Sequence, residues 1–241
     1  MVGHLMIDTY VMNDCGDPVA AAAEAIETAL RTALAERGKA SLMVSGGSSP
    51  RPVYERLSNA DLGWSKVSVG LVDERWVDPG QAGSNEDFIR ETLIQNAASD
   101  AKYVGLKTSA KTVEAGLKEA ENRLASFASP FDICVMGMGT DGHTASWFPN
   151  AGGLDAALSL TNEKTLCYVD ATGCPVAGDH TDRISLTLKA VLESHNIILF
   201  IPGEAKRKVF DKATDKPLSE APVQALLRAG SKLHVYASPA S

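Results

Sequence analysis

Residues 131–149 read FDICVMGMGTDGHTASWFP, and the fold follows from how this stretch begins and ends. Phe131 to Met136 is a short apolar run between Pro130 and Gly137. A run of that length and composition, bounded by turn residues, predicts a buried strand. Gly137, Gly139 and Gly142 follow at once. Glycines let a backbone turn sharply and present its N–H groups. Asp141 and His143 stand two residues apart in the same turn. A carboxylate that orients an imidazole and stabilises its charged form suits proton transfer near neutral pH. A lone histidine in a glycine-rich turn is usually a surface residue. Three glycines, a carboxylate and an imidazole directly after one strand point instead to a site at that strand's carboxyl end.

The flanking sequence alternates strands with helices. Leu5 to Val11 predicts a first strand. Asp17 and Pro18 then supply the cap and first residue of a helix, with Val19, Ala22, Ile26, Ala29, Leu30, Ala33 and Leu34 at helical spacing and Gly38 at its end. Ala40 to Val44 and Val67 to Val72 predict two more strands, the first followed by a helix carrying Val53, Tyr54 and Leu57. Ser84 to Asp87 has the form of a capping box with Asp at its fourth position, opening a helix with Phe88, Ile89 and Leu93. A further helix is expected from about Thr112 to Phe127. Residues 152–179 show little periodicity and predict irregular structure with one short strand, Leu166 to Val169. Ile184 to Leu188 and Ile197 to Ile201 read as strands, the second leading through Pro202-Gly203 into a short helix. Ser219 to Ala229 predicts a last helix closed by Gly230, and Leu233 to Ala237 a last strand.

Such alternation implies an α/β fold, a mostly parallel sheet with helices on both faces. With neither repeat nor linker, residues 1–241 are expected to form a single domain. Ser45, Asp73, Gly137 and Pro202 each follow a predicted strand. In a parallel sheet those ends point the same way, and open α/β sheets bind ligands beyond the carboxyl ends of their strands. Four motifs far apart in sequence are therefore expected at one rim.

Each motif has its own chemistry. Ser45-Gly46-Gly47-Ser48-Ser49-Pro50 suits a phosphate: the glycines allow close approach, the hydroxyls donate, and Pro50 starts a helix whose first N–H groups attract anions. The same residues are also an ordinary helix start. The segment is neither a Walker loop nor a dinucleotide fingerprint. Asp73 and Arg75 could tie a loop as an ion pair, or hold sugar hydroxyls and a phosphate. Lys206 near a helix N-terminus opposes the helix dipole, which an anionic ligand would explain. Arg183, just before a strand, is a weaker candidate of the same kind. His4, His180, His195 and His234 lack the setting of His143 and read as surface or structural residues.

Composition removes whole classes of function. The net charge is −7, which argues against nucleic-acid binding. No apolar run reaches the roughly 18–20 residues of a membrane span. The N-terminus has no signal-peptide pattern. Cys15, Cys134, Cys167 and Cys174 show no Cys-x-x-Cys spacing. Reduced thiols in a cytoplasmic protein, with neither a metal site nor disulfides, are the expectation.

Taken in order, SGGSSP, VDERWV, SNED, MGMGTDGHTASWFP, DRISLT and PGEAK resemble the 6-phosphogluconolactonases. The resemblance spans Ser45 to Lys206. It implies a Rossmann-like domain, shared with glucosamine-6-phosphate deaminase, and hydrolysis of 6-phosphoglucono-1,5-lactone in the oxidative pentose phosphate pathway. It implies no cofactor, a small phosphorylated sugar lactone as the binding partner, and a monomer or small homo-oligomer. His143 would be the general base, Asp141 its orienting carboxylate, and Asp73 the residue fixing the sugar ring. Backbone N–H groups around Gly137 to Gly139 would stabilise the oxyanion. Ser45 to Ser49, Arg75, Arg183 and Lys206 would hold the phosphate. Ser49 stands where Thr is commoner and Trp147 where Leu is; the first keeps the hydroxyl and the second concerns packing. The deaminase is the rival reading. Its Asp-Gly-His segment is followed five residues after the His by a Glu, and here that position is Phe148. A sugar-phosphate sensor on this fold is a third reading, but no DNA-binding module stands outside the α/β units.

Overall fold

The computed structural model describes residues 10–127, 129–213 and 215–239. Its strands, in chain order, are β1 (Val11–Asp14), β2 (Ala40–Val44), β3 (Val67–Leu71), β4 (Asp73–Arg75), β5 (Lys102–Val104), β6 (Ile133–Met136), β7 (Leu166–Asp170), β8 (Asp182–Leu186), β9 (Asn196–Ile201) and β10 (Leu233–Ala237). The α-helices are α1 (Pro18–Arg37), α2 (Arg51–Ser58), α3 (Asn85–Thr92), α4 (Val113–Leu124), α5 (Leu154–Leu158), α6 (Leu188–Glu193) and α7 (Glu204–Ala213).

Seven strands form one sheet in the order β1-β10-β9-β6-β2-β3-β5, and every neighbouring pair is parallel. All residues of β2 and β6 are buried, as is β9 beyond its first residue, the pattern of strands covered on both faces. From β2 the chain moves outward to β3 and β5, then returns to β6 on the other side of β2. The strand order therefore reverses between β2 and β6, where open α/β sheets form their binding crevice. Register places Val44 beside Val135, so Ser45 and Gly137 leave the sheet side by side. β9 pairs with β6, which brings Pro202 and α7 to the same edge.

The local signals at the helix ends act as expected. The Asp17 side chain accepts from the Ala20 N–H, Pro18 begins α1, and Gly38 closes it in the left-handed region, its N–H donating to Leu34. Ser84 caps α3 by accepting from the Asp87 N–H.

Several expectations are corrected. The strand at 184–188 lies two residues earlier, at Asp182–Leu186, and does not join the parallel sheet. It forms a separate antiparallel sheet, β4-β8-β7, with Asp73 opposite Ser185 and Arg75 opposite Arg183. Thr187 ends the strand because its hydroxyl caps α6 by accepting from the Ala190 N–H. Short α5, α6 and edge strand β5 were not anticipated, since elements of three to six residues leave too little periodicity to read. The expected helix at 219–229 is a 3₁₀ segment, Pro222–Lys232, with Gly230 outside helical geometry. Of the expected first strand, residues 5–9 lie outside the described residues, as does His4. The observed β1 begins at Val11.

Candidate active site

Above the carboxyl ends of β2 and β6 lies a cavity of about 250 Å³. Its wall takes in residues 45–50 together with Asp73, Arg75, Gly137, Gly139, His143, Arg183 and Lys206. Every residue given a role in binding or catalysis thus lines one cavity, except Asp141, which reaches it through its hydrogen bond to His143.

The His143–Asp141 pair is tight: Nδ1 of the imidazole lies 2.6 Å from Oδ1 of Asp141. The same oxygen accepts the His143 backbone N–H at 3.2 Å, so the two-residue spacing closes a local turn around the carboxylate. Burial works to raise the Asp141 carboxyl, but the hydrogen bonds and charge of His143 outweigh it and hold the group below its ordinary value. An ionised Asp141 makes Nδ1 the donor. Nε2 is then the ring nitrogen left to accept a proton. A glycine is required beside this pair, since a methyl group built on Gly139 would lie 2.2 Å from the His143 ring.

The expected oxyanion role is narrowed. The Gly139 N–H donates to the His143 carbonyl at 2.9 Å and is committed to holding the turn. It is not a free donor, which leaves the backbone at Gly137 and Met138.

The same cavity carries three cations, Lys206, Arg75 and Arg183. Lys206 Nζ donates to Ser49 Oγ at 2.8 Å, and burial pushes the ammonium's pKa down. Arg75 donates through Nη1 to the Asn85 side chain. Arg183 is 3% exposed, and burial pushes its guanidinium down to about 10. The Arg183 expectation needs correction in part. Its Nε donates to the His180 carbonyl at 2.7 Å and its Nη2 to the Ala177 carbonyl at 2.6 Å, so it offers the cavity mainly charge. Arg75 and Arg183 face each other across β4 and β8, an unfavourable placement for like charges. Among the described residues none of the three cations has a carboxylate within 4.0 Å. Partly dehydrated cations with no carboxylate within 4.0 Å are costly unless an anion completes the site.

The anion would also meet the start of α2, whose first turn has no side-chain cap. Gly46 has to be glycine here, because a methyl group at its Cα would fall 1.9 Å from the Asn85 amide oxygen. Asp73 is nearly buried and accepts from Ser146 Oγ at 2.6 Å, which ties the β4 segment to the loop carrying His143.

Sequence reasoning missed Asn85. Its Nδ2 donates to the Asp73 carbonyl at 2.9 Å while its oxygen holds Arg75. The signal lay inside the segment read only as a helix cap. Glu74 was missed too. Its buried carboxylate accepts the N–H groups of Arg75, Asn85 and Glu86, each at 2.8 Å, and so fixes the corner that presents Arg75 and Asn85. Burial raises Glu74 to about 7 despite those bonds. Met138, Ala145, Phe148 and Val176 give the cavity an apolar side that no polar motif announced.

Among the described residues no helix is long and apolar enough to cross a membrane, and no group of three or more His, Cys, Asp or Glu is arranged to hold a metal.

Residues 14–235 match the family model described as glucosamine-6-phosphate isomerases/6-phosphogluconolactonase. The chain is 39% identical over 221 residues to a 6-phosphogluconolactonase of Rhizobium meliloti, covering 91% of this chain and 93% of that one. It is 38% identical over 209 residues to a Pseudomonas aeruginosa protein of the same name, covering 86% and 85%. The crystal structure of a 6-phosphogluconolactonase from Shewanella baltica superimposes with a TM-score of 0.87 at 37% identity, covering 99% of this chain and 100% of that one. The chain belongs to the glucosamine-6-phosphate isomerase/6-phosphogluconolactonase family.

Proposed function

We propose that this chain hydrolyses 6-phosphoglucono-1,5-lactone to 6-phosphogluconate. The observation that carries this reading is one cavity that holds both cations and a base. Arg75, Arg183 and Lys206, with no carboxylate within 4.0 Å among the described residues, line it. His143, backed by Asp141, lines it too, with one nitrogen free. A substrate with a phosphate at one end and an electrophilic carbonyl at the other fits that combination. The names of the Rhizobium meliloti and Pseudomonas aeruginosa relatives support the same substrate.

In this mechanism the phosphate meets Lys206, Arg75 and the turn from Ser45 to Ser49. Asp73 accepts hydrogen bonds from ring hydroxyls, its second oxygen being held by Ser146. Nε2 of His143 takes a proton from water as the water oxygen attacks the lactone carbonyl. Asp141 stabilises the imidazolium that forms. Backbone N–H groups at Gly137 and Met138 face the developing oxyanion, an effect worth about 3–4 kcal/mol per donor in hydrolases. When the tetrahedral intermediate collapses, the ring C–O bond breaks and the imidazolium returns its proton to the departing ring oxygen. Water is the only co-reactant, and the base is regenerated within one turnover.

The test runs two substrates on one purified sample. Acid release from fresh 6-phosphogluconolactone, corrected for spontaneous hydrolysis, is expected to be fast. Ammonia from glucosamine 6-phosphate is expected at the blank rate, because Phe148 can neither ionise nor donate a hydrogen bond. Ammonia at an enzymatic rate with lactone decay no faster than buffer would assign the chain to the deaminases.

A further inference from the structure

Phe148 takes no part in the chemistry above, yet it touches two of the groups around it. Its ring centroid lies 4.4 Å from that of the His143 imidazole, with the planes 34° apart. The Arg183 guanidinium carbon lies over the same ring at 5.3 Å. Phe148 is 2% exposed and Arg183 3%, so neither side chain has room to swing. Arg183 is further tied by its two bonds to the carbonyls of Ala177 and His180.

These contacts answer a mechanical need. Among the described residues the imidazole has one side-chain hydrogen bond, from Nδ1 to Asp141 at 2.6 Å, which fixes that nitrogen. It leaves the ring free to rock about the bond, and rocking moves Nε2, the atom that must meet the attacking water. A flat neighbour against the ring face removes that freedom. An aromatic hydrocarbon does so without offering Nε2 a competing hydrogen-bond donor or acceptor. Offset and tilted ring pairs at centroid separations of roughly 4.5–7 Å are attractive, so the contact holds as well as fills. A guanidinium over the aromatic face is attractive too, which anchors the Phe148 ring in turn.

We infer that Phe148 is a positioning residue for His143, that Arg183 holds Phe148 in place, and that this aromatic contact sets the tilt of the imidazole from which Nε2 works. The inference rests on the lactonase reading for its kinetic arm only. It gives the residue at the position that separates this chain from the deaminases a task of its own, beyond the absence of a carboxylate.

Phe148→Leu keeps an apolar side chain of similar bulk and removes the flat face. It is expected to lower kcat by about tenfold or more, since small misplacements of a catalytic group have costs of that order. KM and the inhibition constant of inorganic phosphate should stay within about twofold, because the phosphate contacts assigned to Lys206, Arg75 and the 45–49 turn do not involve Phe148, and Arg183 keeps its bonds to the Ala177 and His180 carbonyls. Phe148→Tyr, which restores the ring, should recover most of kcat. If Phe148→Leu does not fold, Phe148→Met makes the same comparison, since Met fills irregular gaps. A second readout needs no substrate: ¹³C relaxation at Cε1 of His143 should show a more mobile ring in the Leu or Met variant than in the wild type. Unchanged kcat in a folded variant overturns the inference. So does a loss of kcat matched by equal losses in phosphate affinity, which marks general damage. If the wild type has no lactonase activity, the functional reading fails by itself. The relaxation measurement then decides, and an equally ordered His143 ring in the variant overturns the positioning role.

Discussion

Replacing Lys206 by Ala is expected to separate binding from chemistry. The ammonium sits in the cavity wall, donates to Ser49 at 2.8 Å and has no carboxylate partner among the described residues. In the complex it adds a charge-assisted hydrogen bond to the phosphate. Such bonds contribute about 1.5–3 kcal/mol. At about 1.4 kcal/mol per factor of ten, that is a loss of roughly 10- to 150-fold in kcat/KM. The phosphate lies at the far end of the substrate from the reacting carbonyl, so ground and transition states lose the same contact. The loss should therefore appear in KM, with kcat changed by no more than about threefold. The free protein should not be weakened, because burial already disfavours the charged Lys206 and the variant removes that cost. The assay follows acid release from freshly prepared 6-phosphogluconolactone over a range of concentrations, with spontaneous hydrolysis subtracted. Unphosphorylated gluconolactone serves as the internal control, and Lys206→Ala should leave its slow turnover unchanged. If kcat falls while KM holds, or both lactones suffer alike, Lys206 does not bind the phosphate.

His143→Ala should slow the chemical step by roughly 10²–10⁴-fold with phosphate inhibition preserved, and a kcat near that of the wild type would remove the imidazole from the mechanism. Gly139→Ala drives a methyl group to within 2.2 Å of the His143 ring, so kcat should drop by about 10²-fold or more in a protein that still folds; intact activity would show the pair can shift at no cost. Glu74 supplies a pH prediction. Its folded-state value is raised from the ordinary 4.5 to about 7, so its contribution is fully present below 4.5 and fades as the pH rises through 7. Chemical denaturation should show stability falling across that window by up to about 3 kcal/mol, with the slope reduced in Glu74→Gln; equal slopes in the two proteins would contradict the assignment. Asn85→Ala frees Arg75 and the Asp73 carbonyl, and should raise KM more than it lowers kcat, while an effect on kcat alone would mean that Asn85 serves the chemistry directly.

Much of this site can be read from the chain because its parts are local. A strand followed by glycines, a carboxylate two residues before an imidazole, and serines ahead of a helix are each complete within about ten residues. The parallel sheet then brings their strand ends together, and periodicity alone announces that sheet. The sequence by itself therefore determined β2, β3, β6, β9 and β10 of the main sheet, the helix ends at Asp17, Gly38 and Ser84, and nearly every polar residue of the cavity wall. What it left undecided depends on residues distant in the chain. Nothing near Arg183 says that β8 pairs with β4 rather than with the main sheet, and that pairing sets two arginines face to face. The bonds of Arg183 to the 177–180 loop, the clasp of Asn85 on Arg75, and the contact of Phe148 with His143 are side-chain events between separate segments. The commitment of the Gly139 N–H to the His143 carbonyl is a property of a closed turn, and composition cannot reveal it. Local sequence specifies which groups are available, whereas packing decides which remain free to meet a substrate.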